Sequence, residues 1–297
     1  MAVPERLFTL AMPKIYKIMF SISVGLMLAA LAAFLVYGLN LGIDFTGGSL
    51  LEIQSQNIEA GSIRSSLEKI GVSNAVVSQT EGGFLIKMPE ISEETHQQIL
   101  TEFRKSGGAE EIRFDSIGSV LGSELKTKSI AAIIIALVLI SLYLGVVFSR
   151  IGGTVSPLVL ALGAIVALLH DLLLPIGVFS WLGQFRGVAI DAPMIAAALA
   201  ILGYSINDTV VVYDRIRENI LKNPQADFNE TVHKSIKQTL VRSVSTTITT
   251  LFAVVAIYVF GGETLKNFSL ALIIGISAGA YSSIFVASPI LMLRHKR

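Results

Sequence analysis

The sequence predicts an all-α membrane protein, a bundle of six spanning helices, with an α+β ferredoxin-like domain outside the cytoplasm between the first and second spans. Three observations predict it. Of 297 residues, 53% are hydrophobic and 15% charged, and the mean hydropathy is +0.69, more apolar surface than a water-soluble fold of this length hides. Six separate stretches reach the roughly 20 apolar residues that a spanning helix needs. The segment 40–129 breaks the series with alternating strand-like and helix-like patterns.

The apolar stretches lie at about 18–39, 130–148, 155–179, 193–212, 243–260 and 269–292, each bounded by charge, Pro or Gly. In a bilayer they must be helices, because only a helix satisfies its own backbone groups there. The first, Ile18 to Leu39, is 22 residues long, against about 7–15 for the apolar region of a cleaved signal peptide, and reads as a retained anchor. Direction follows from Lys and Arg in the short loops. Arg6, Lys14 and Lys17 precede span one, and Arg150 lies between spans two and three. Arg215, Arg217, Lys222, Lys234 and Lys237 lie between spans four and five, and Arg294, Lys296 and Arg297 follow span six. The opposite short loops carry Arg186 and Lys266. Both termini are therefore expected in the cytoplasm. The organisation that results is 1–40 as cytoplasmic N-terminus and span one, 41–128 as an extracytoplasmic domain, and 129–297 as spans two to six with a cytoplasmic C-terminus.

Within 40–129, Ser49–Gln54 reads as a strand and Ala60–Ile70 as a helix, with Ile63, Leu67 and Ile70 at helical spacing. Ala75–Gln79 and Phe84–Met88 read as strands joined around Glu81-Gly82-Gly83. Ser92 caps a helix that runs to Lys105 and ends at Gly107-Gly108, and Glu111–Ser116 is a last strand. The order βαββαβ is the ferredoxin-like one. The segment holds no clustered His and no paired catalytic carboxylates, so a binding or mechanical module is expected rather than a catalytic one. Zero cysteines exclude disulfides, zinc thiolates and cysteine nucleophiles, and a net charge of +1 speaks against a nucleic-acid partner.

Ionisable groups inside a span are costly, about 2.5–3.5 kcal/mol at mid-span on insertion scales, and mark functional candidates. Asp208 stands in the cytoplasmic half of span four, with Tyr204 and Ser205 on its helical face. It reads either as a proton carrier or as a fixed polar staple between helices. Arg242, at the start of span five, heads a stripe with Thr246 and Thr250, beside a neighbouring stripe of Ser243 and Thr247. It reads as the partner of Asp208 or as a cytoplasmic anchor that snorkels to the interface. His170-Asp171 in span three is a secondary relay or a capped break before Pro175. Asp191, before Ala192-Pro193, reads as an N-cap, and Gly275 and Gly279 as a GxxxG packing pair. Gly42, Gly47 and Gly48 permit unusual backbone angles around Asp44. They form either a joint that carries helix movement to the domain or a tight turn that positions the first strand.

Three motifs carry a family resemblance: Gly42-Ile43-Asp44-Phe45-Thr46-Gly47-Gly48 after span one, the run Gly203 to Asn219 that closes span four, and Gln238-Thr239-Leu240-Val241-Arg242-Ser243 at the start of span five, which ends in Phe260-Gly261-Gly262. With the six-span layout they resemble the SecF protein-export membrane proteins of the resistance-nodulation-division superfamily, over essentially the whole chain. The resemblance implies one half of a twelve-span unit, with SecD as the other half. It also implies work beside the SecYEG channel, YidC and, indirectly, the SecA motor on an unfolded preprotein, driven by the proton-motive force. It places the Asp of the Asn207-Asp208 pair and Arg242 in a proton pathway, which the stripe of Thr246 and Thr250 at four-residue steps from Arg242 is expected to continue. No enzymatic activity, metal or cofactor is expected, only protons as the coupling ion. The alternatives are a passive translocon assembly factor and a proton-driven exporter of small molecules or lipids.

Overall fold

A computed structural model describes residues 12–55, 58–79, 82–148 and 157–294. Arg6, Arg150, Lys296 and Arg297 of the charge argument, and Glu81 of the expected turn, lie outside them. Among the described residues six helices are long and apolar enough to cross a membrane. The chain divides into two compact units: Asn40–Ala131 with Gly183–Ala192 form one, and the remainder of the described chain the other.

The spanning unit is built from α1 (Met12–Tyr37), most of α5 (Ser119–Val147), α6 (Pro157–Arg186), α7 (Ala192–Lys222), α8 (Phe228–Phe260) and α9 (Glu263–Ser282). A π-helical segment, Ser283–Ala287, follows α9 and leads into α10 (Ser288–Arg294). The helices overrun the predicted apolar stretches at their polar ends: α5 begins at Ser119 and α8 at Phe228, whose N-cap Asp227 accepts from the Glu230 amide. Apolarity marks only the part of a helix that needs lipid, and caps and propensity continue the same helix into water. The buried core includes Phe148, Leu160, Val212, Tyr213, Ile216, Phe228 and Val232. Helices approach closely where small residues allow it. A Cβ on Gly275 would stand 2.3 Å from Ile201 Cδ1, and one on Gly279 would stand 3.0 Å from Ser205 Cβ. The GxxxG pair therefore lies where α9 crosses α7. α6 continues through Pro175, so the break considered there is absent.

The second unit contains α2 (Ile43–Thr46), β1 (Gly48–Gln54), α3 (Ala60–Lys69), β2 (Val76–Gln79), β3 (Gly83–Met88), α4 (Glu93–Gly107), β4 (Glu110–Ile117) and the first turns of α5. The strands form one antiparallel sheet in the order β2-β3-β1-β4. Ser92 caps α4 by accepting from the Thr95 amide, and Gly108 ends it in the left-handed region at φ 69°. Leu51 and Ile53 of β1 and Ile86 of β3 point to the same side as Ile63, Leu67, Ile99 and Phe103 of the two helices and form the core. The other side of the sheet carries Leu50, Glu52, Leu85 and Lys87, because side chains alternate along a strand. Beyond the predicted elements are the single turn α2 and the recruitment of 183–192, which reads in the sequence as an ordinary loop.

Candidate functional site

In the spanning unit, α7 buries one face at three- and four-residue steps: Ile201, Ser205, Asp208, Thr209, Val212, Tyr213 and Ile216. Asp208 continues this stripe and is 3% exposed. Its carboxylate accepts from Thr247 Oγ1 of α8 at 3.5 Å, and Thr247 in turn accepts from Tyr204 Oη at 3.4 Å. Ser243, one turn before Thr247, is buried on the same face of α8.

The stripe that meets Asp208 is therefore Ser243–Thr247. Arg242 and Thr246 are exposed and Thr250 is partly buried. Thr246 Oγ1 donates to the Arg242 carbonyl at 3.0 Å and Thr250 Oγ1 to the Thr246 carbonyl at 2.9 Å. Both hydroxyls satisfy themselves on their own helix. No ion pair joins Asp208 to Arg242 among the described residues; Arg242 instead lines a cleft of about 480 Å³ with Asp214, Arg215, Glu218, Gln238 and Thr239. The reason is angular. Adjacent stripes on a helix differ by about 100°, and packing against α7 turned the Ser243 stripe inward. Asn207, next to Asp208, is exposed.

The His170-Asp171 pair is fully buried, at 0% for each side chain. Asp171 Oδ1 meets His170 Nδ1 at 2.8 Å, while Oδ2 accepts from Ser205 Oγ of α7 and from Ser282 Oγ of α9 at 2.8 Å. Asp171 thus ties three helices together. His170 stacks on Tyr281, and its Nε2 is buried without a hydrogen-bond partner among the described residues. Thr209 Oγ1 and Ser283 Oγ lie 3.0 Å apart, and Ser288 Oγ donates five residues back to the Ser283 carbonyl. This network enters the π segment, an arrangement common where a helix is adapted for function. Sequence reasoning did not single out Ser282 and Ser283. Two adjacent hydroxyls in a mostly apolar span that also holds Ser269, Ser277 and Ser288 were the available signal.

In the other unit, the glycine motif is a built junction. A Cβ on Gly42 would stand 1.7 Å from Asp191 Oδ1 and 3.1 Å from the Ile190 carbonyl. Gly47 and Gly48 have φ of 72° and 120°, angles open chiefly to glycine, and a Cβ on Gly47 would stand 2.5 Å from Ser119 Cα. Leu41 forms a parallel bridge with Ile190. The Gly42 amide donates to the Ile190 carbonyl, and the Ile190 amide to the Asn40 carbonyl, both at 2.8 Å. Asn40 Nδ2 donates to the carbonyls of Gly187 and Val188 at 3.0 and 3.2 Å. The amide of Ala192, first residue of α7, donates to Asp44 Oδ2 at 2.6 Å. The capping carboxylate is thus that of Asp44, 148 residues away, and not the Asp191 carboxylate expected from the sequence. Asp191 lies against Gly42, and its burial, with the charge of Asp44, pushes its carboxyl above the ordinary 3.8, opposed by Arg113 and Lys87.

The family described as "Protein export membrane protein SecD/SecF, C-terminal" matches residues 96–297, and the SecD/SecF GG motif matches 32–57, which contains Gly42, Asp44, Gly47 and Gly48. The chain belongs to the SecF family. The SecF protein translocase subunit of Thermobaculum terrenum is 41% identical over 87% of this chain and 85% of its own length. That of Pseudomonas aeruginosa is 35% identical over 94% of this chain and 89% of its own length. A crystal structure of Thermus thermophilus SecDF, a translocon-associated membrane protein, superposes with a TM-score of 0.84 at 34% identity, covering 95% of this chain. This SecF-type chain spans 38% of the length of that solved chain. As a member of the family it is an accessory subunit of the Sec translocase and a multi-pass protein of the bacterial inner membrane.

Proposed function

We propose that this SecF-type chain works with a separate SecD half, beside SecYEG and YidC and indirectly with SecA, to use the proton-motive force in promoting export of unfolded preproteins. The observation that carries this reading is the state of Asp208: 3% exposed, with the Ser243 and Thr247 hydroxyls of α8 beside it, Thr247 at 3.5 Å, Arg242 acting on it only through space, and no cation bonded to it among the described residues. A buried carboxylate so weakly held exchanges its proton in response to small movements of its neighbours. A fully satisfied one, such as Asp171, is suited to holding helices in place. In this reading Asp208, Asn207, Arg242, Thr246 and Thr250 form the proton pathway, with His170 and Asp171 as a secondary site.

The outward face of α8 supports the partner. Among exposed Val241, Val244, Ile248 and Phe252 it also exposes Arg242, Ser245, Thr246 and Thr249, and these polar groups are costly against lipid and reasonable against a second helical half. The solved relative named SecDF, of which this chain matches 38%, supports SecD as that half. Lys and Arg at the α7–α8 turn support cytoplasmic termini, with residues about 41–128 on the outer side. The βαββαβ order and the strand order β2-β3-β1-β4 support a ferredoxin-like assignment for that domain.

A proton entering from outside neutralises Asp208, its attraction to Arg242 falls, and α7 and α8 shift. One charge moved through 100 mV is worth about 2.3 kcal/mol, roughly a fiftyfold bias of a two-state equilibrium, so several protons serve each exported chain. The chain itself catalyses no covalent step and needs no cofactor. The test is export of a secreted reporter in cells depleted of their own SecF, comparing this chain with Asp208→Asn at equal membrane abundance and with its matching SecD. Rescue by the native chain alone supports the reading. Equal rescue by both removes proton coupling through Asp208 and leaves a passive assembly factor.

A further inference from the structure

The junction ladder of 40–44 with 187–192 is held to the domain's sheet by a side chain that neither the family motif nor the proton pathway includes. Lys87 lies on β3, an interior strand between β2 and β1. Phe84, Ile86 and Met88 turn into the core, so Lys87 stands on the opposite side, the one without helices. Its Nζ donates to the Leu41 carbonyl at 2.7 Å. Leu41 is the residue bridged to Ile190, and two residues beyond Ile190 the Ala192 amide is held by Asp44. The register aligns Lys87, Leu50 and Asp115 in one row across β3, β1 and β4.

The charges around it explain why a cation is needed. Asp191 faces Asp44, Asp115, Arg113 and Lys87. Arg113 is already engaged by Asp115, so without Lys87 three carboxylates would share one guanidinium. Burial lowers the Lys87 ammonium below its ordinary 10.5, and Asp191 opposes that shift. A short bond from a half-buried ammonium to a carbonyl is of the stronger, charge-assisted class.

We propose that Lys87 is a positioning residue of the transport cycle, locking the glycine motif and the 183–192 segment onto the helix-free side of the sheet so that the first residue of α7 is carried with the domain. This rests on the proton-driven reading proposed above, taking the glycine motif as the joint that carries movement of the helices to the domain and not as a tight turn alone.

The test uses the full-length chain with its SecD and the variants Lys87→Met and Lys87→Arg. Amide hydrogen exchange reads the lock without reference to export. Lys87→Met is expected to speed exchange at Gly42, Ile190 and Ala192 by roughly tenfold or more, the loss of a charge-assisted hydrogen bond, while the β1 and β3 amides keep their rates. Lys87→Arg is expected to restore most of the protection. Export is expected to fall several-fold in Lys87→Met and to recover in Lys87→Arg. Unchanged junction exchange in Lys87→Met overturns the lock. Faster exchange with normal export overturns the role in transport and leaves the proton-pathway reading standing. If Lys87→Met also loosens the sheet, Lys87→Met/Asp191→Asn, which removes the uncompensated carboxylate, decides. Fast junction amides over a protected sheet then uphold the proposal, and a sheet still loose, or a junction back at native rates, overturns it.

Discussion

Asp171→Ala is expected to be the most destabilising single carboxylate replacement in the spanning unit, well ahead of Asp208→Ala. Asp171 is 0% exposed and has three hydrogen-bonded neighbours: Ser205, Ser282 and His170. Interhelical hydrogen bonds in membranes average about 0.6 kcal/mol and reach about 1.7, so the two serine bonds contribute roughly 1–3 kcal/mol. Stranding His170, whose Nε2 already lacks a partner among the described residues, adds about 1–3 kcal/mol. The sum is roughly 2–6 kcal/mol. Asp208 accepts a long hydrogen bond from Thr247, at 3.5 Å, and its removal is expected to cost under about 1 kcal/mol. The assay is unfolding in mixed micelles with increasing sodium dodecyl sulfate, followed by fluorescence of Trp181. It is the one tryptophan in 297 residues, and it lies ten residues from Asp171 on α6. Asp171→Asn, which keeps an acceptor oxygen for the serines, is expected to fall between wild type and Ala. If Asp171→Ala unfolds at the same midpoint as Asp208→Ala, the three-helix tie is not a stabilising feature and the argument from its geometry fails.

Two further outcomes follow from the structure. Gly275→Val should separate α9 from α7, because its Cβ would sit 2.3 Å from Ile201 Cδ1; a loss of about 1–3 kcal/mol is expected in the same unfolding assay, partly recovered by Ile201→Ala. At Asp191, burial and Asp44 raise the folded carboxyl above its ordinary 3.8, so the folded state favours the neutral form. The unit that holds the sheet therefore gains stability as pH falls from neutrality through the raised value, and that gain is complete below the ordinary one. Asp191→Asn should raise its thermal midpoint at pH 7 and flatten this pH dependence; a wild-type midpoint that falls as pH is lowered through that window contradicts the assignment.

Asp208 and Arg242 illustrate how far the sequence reaches. The sequence shows that both are ionisable, that they lie near the same membrane level, and that two hydroxyl stripes follow Arg242. It does not show which stripe turns toward α7, because the two differ only by a rotation of α8 about its axis. Contacts set that rotation. In the structure Thr247 meets Asp208, and Arg242 faces outward. The same limit applies to Asp171: its burial and its neighbour His170 are legible, but Ser282 is 111 residues away, and no local pattern pairs them.

The six apolar stretches, the βαββαβ order, the Ser92 cap and the need for glycine at Gly47 and Gly48 are properties of short windows. Hydropathy, side-chain periodicity, capping and positive φ act within a turn or two, so the sequence alone determines them. The tie of Asp171 to Ser205 and Ser282, the capping of α7 by Asp44 instead of Asp191, and the attachment of 183–192 through Asn40, Leu41 and Lys87 were decided by tertiary structure. Each depends on the relative placement and rotation of elements far apart in the chain. Their packing fixes that placement, and the residues that satisfy one another's polar groups across it carry no mark of the pairing in their own neighbourhoods.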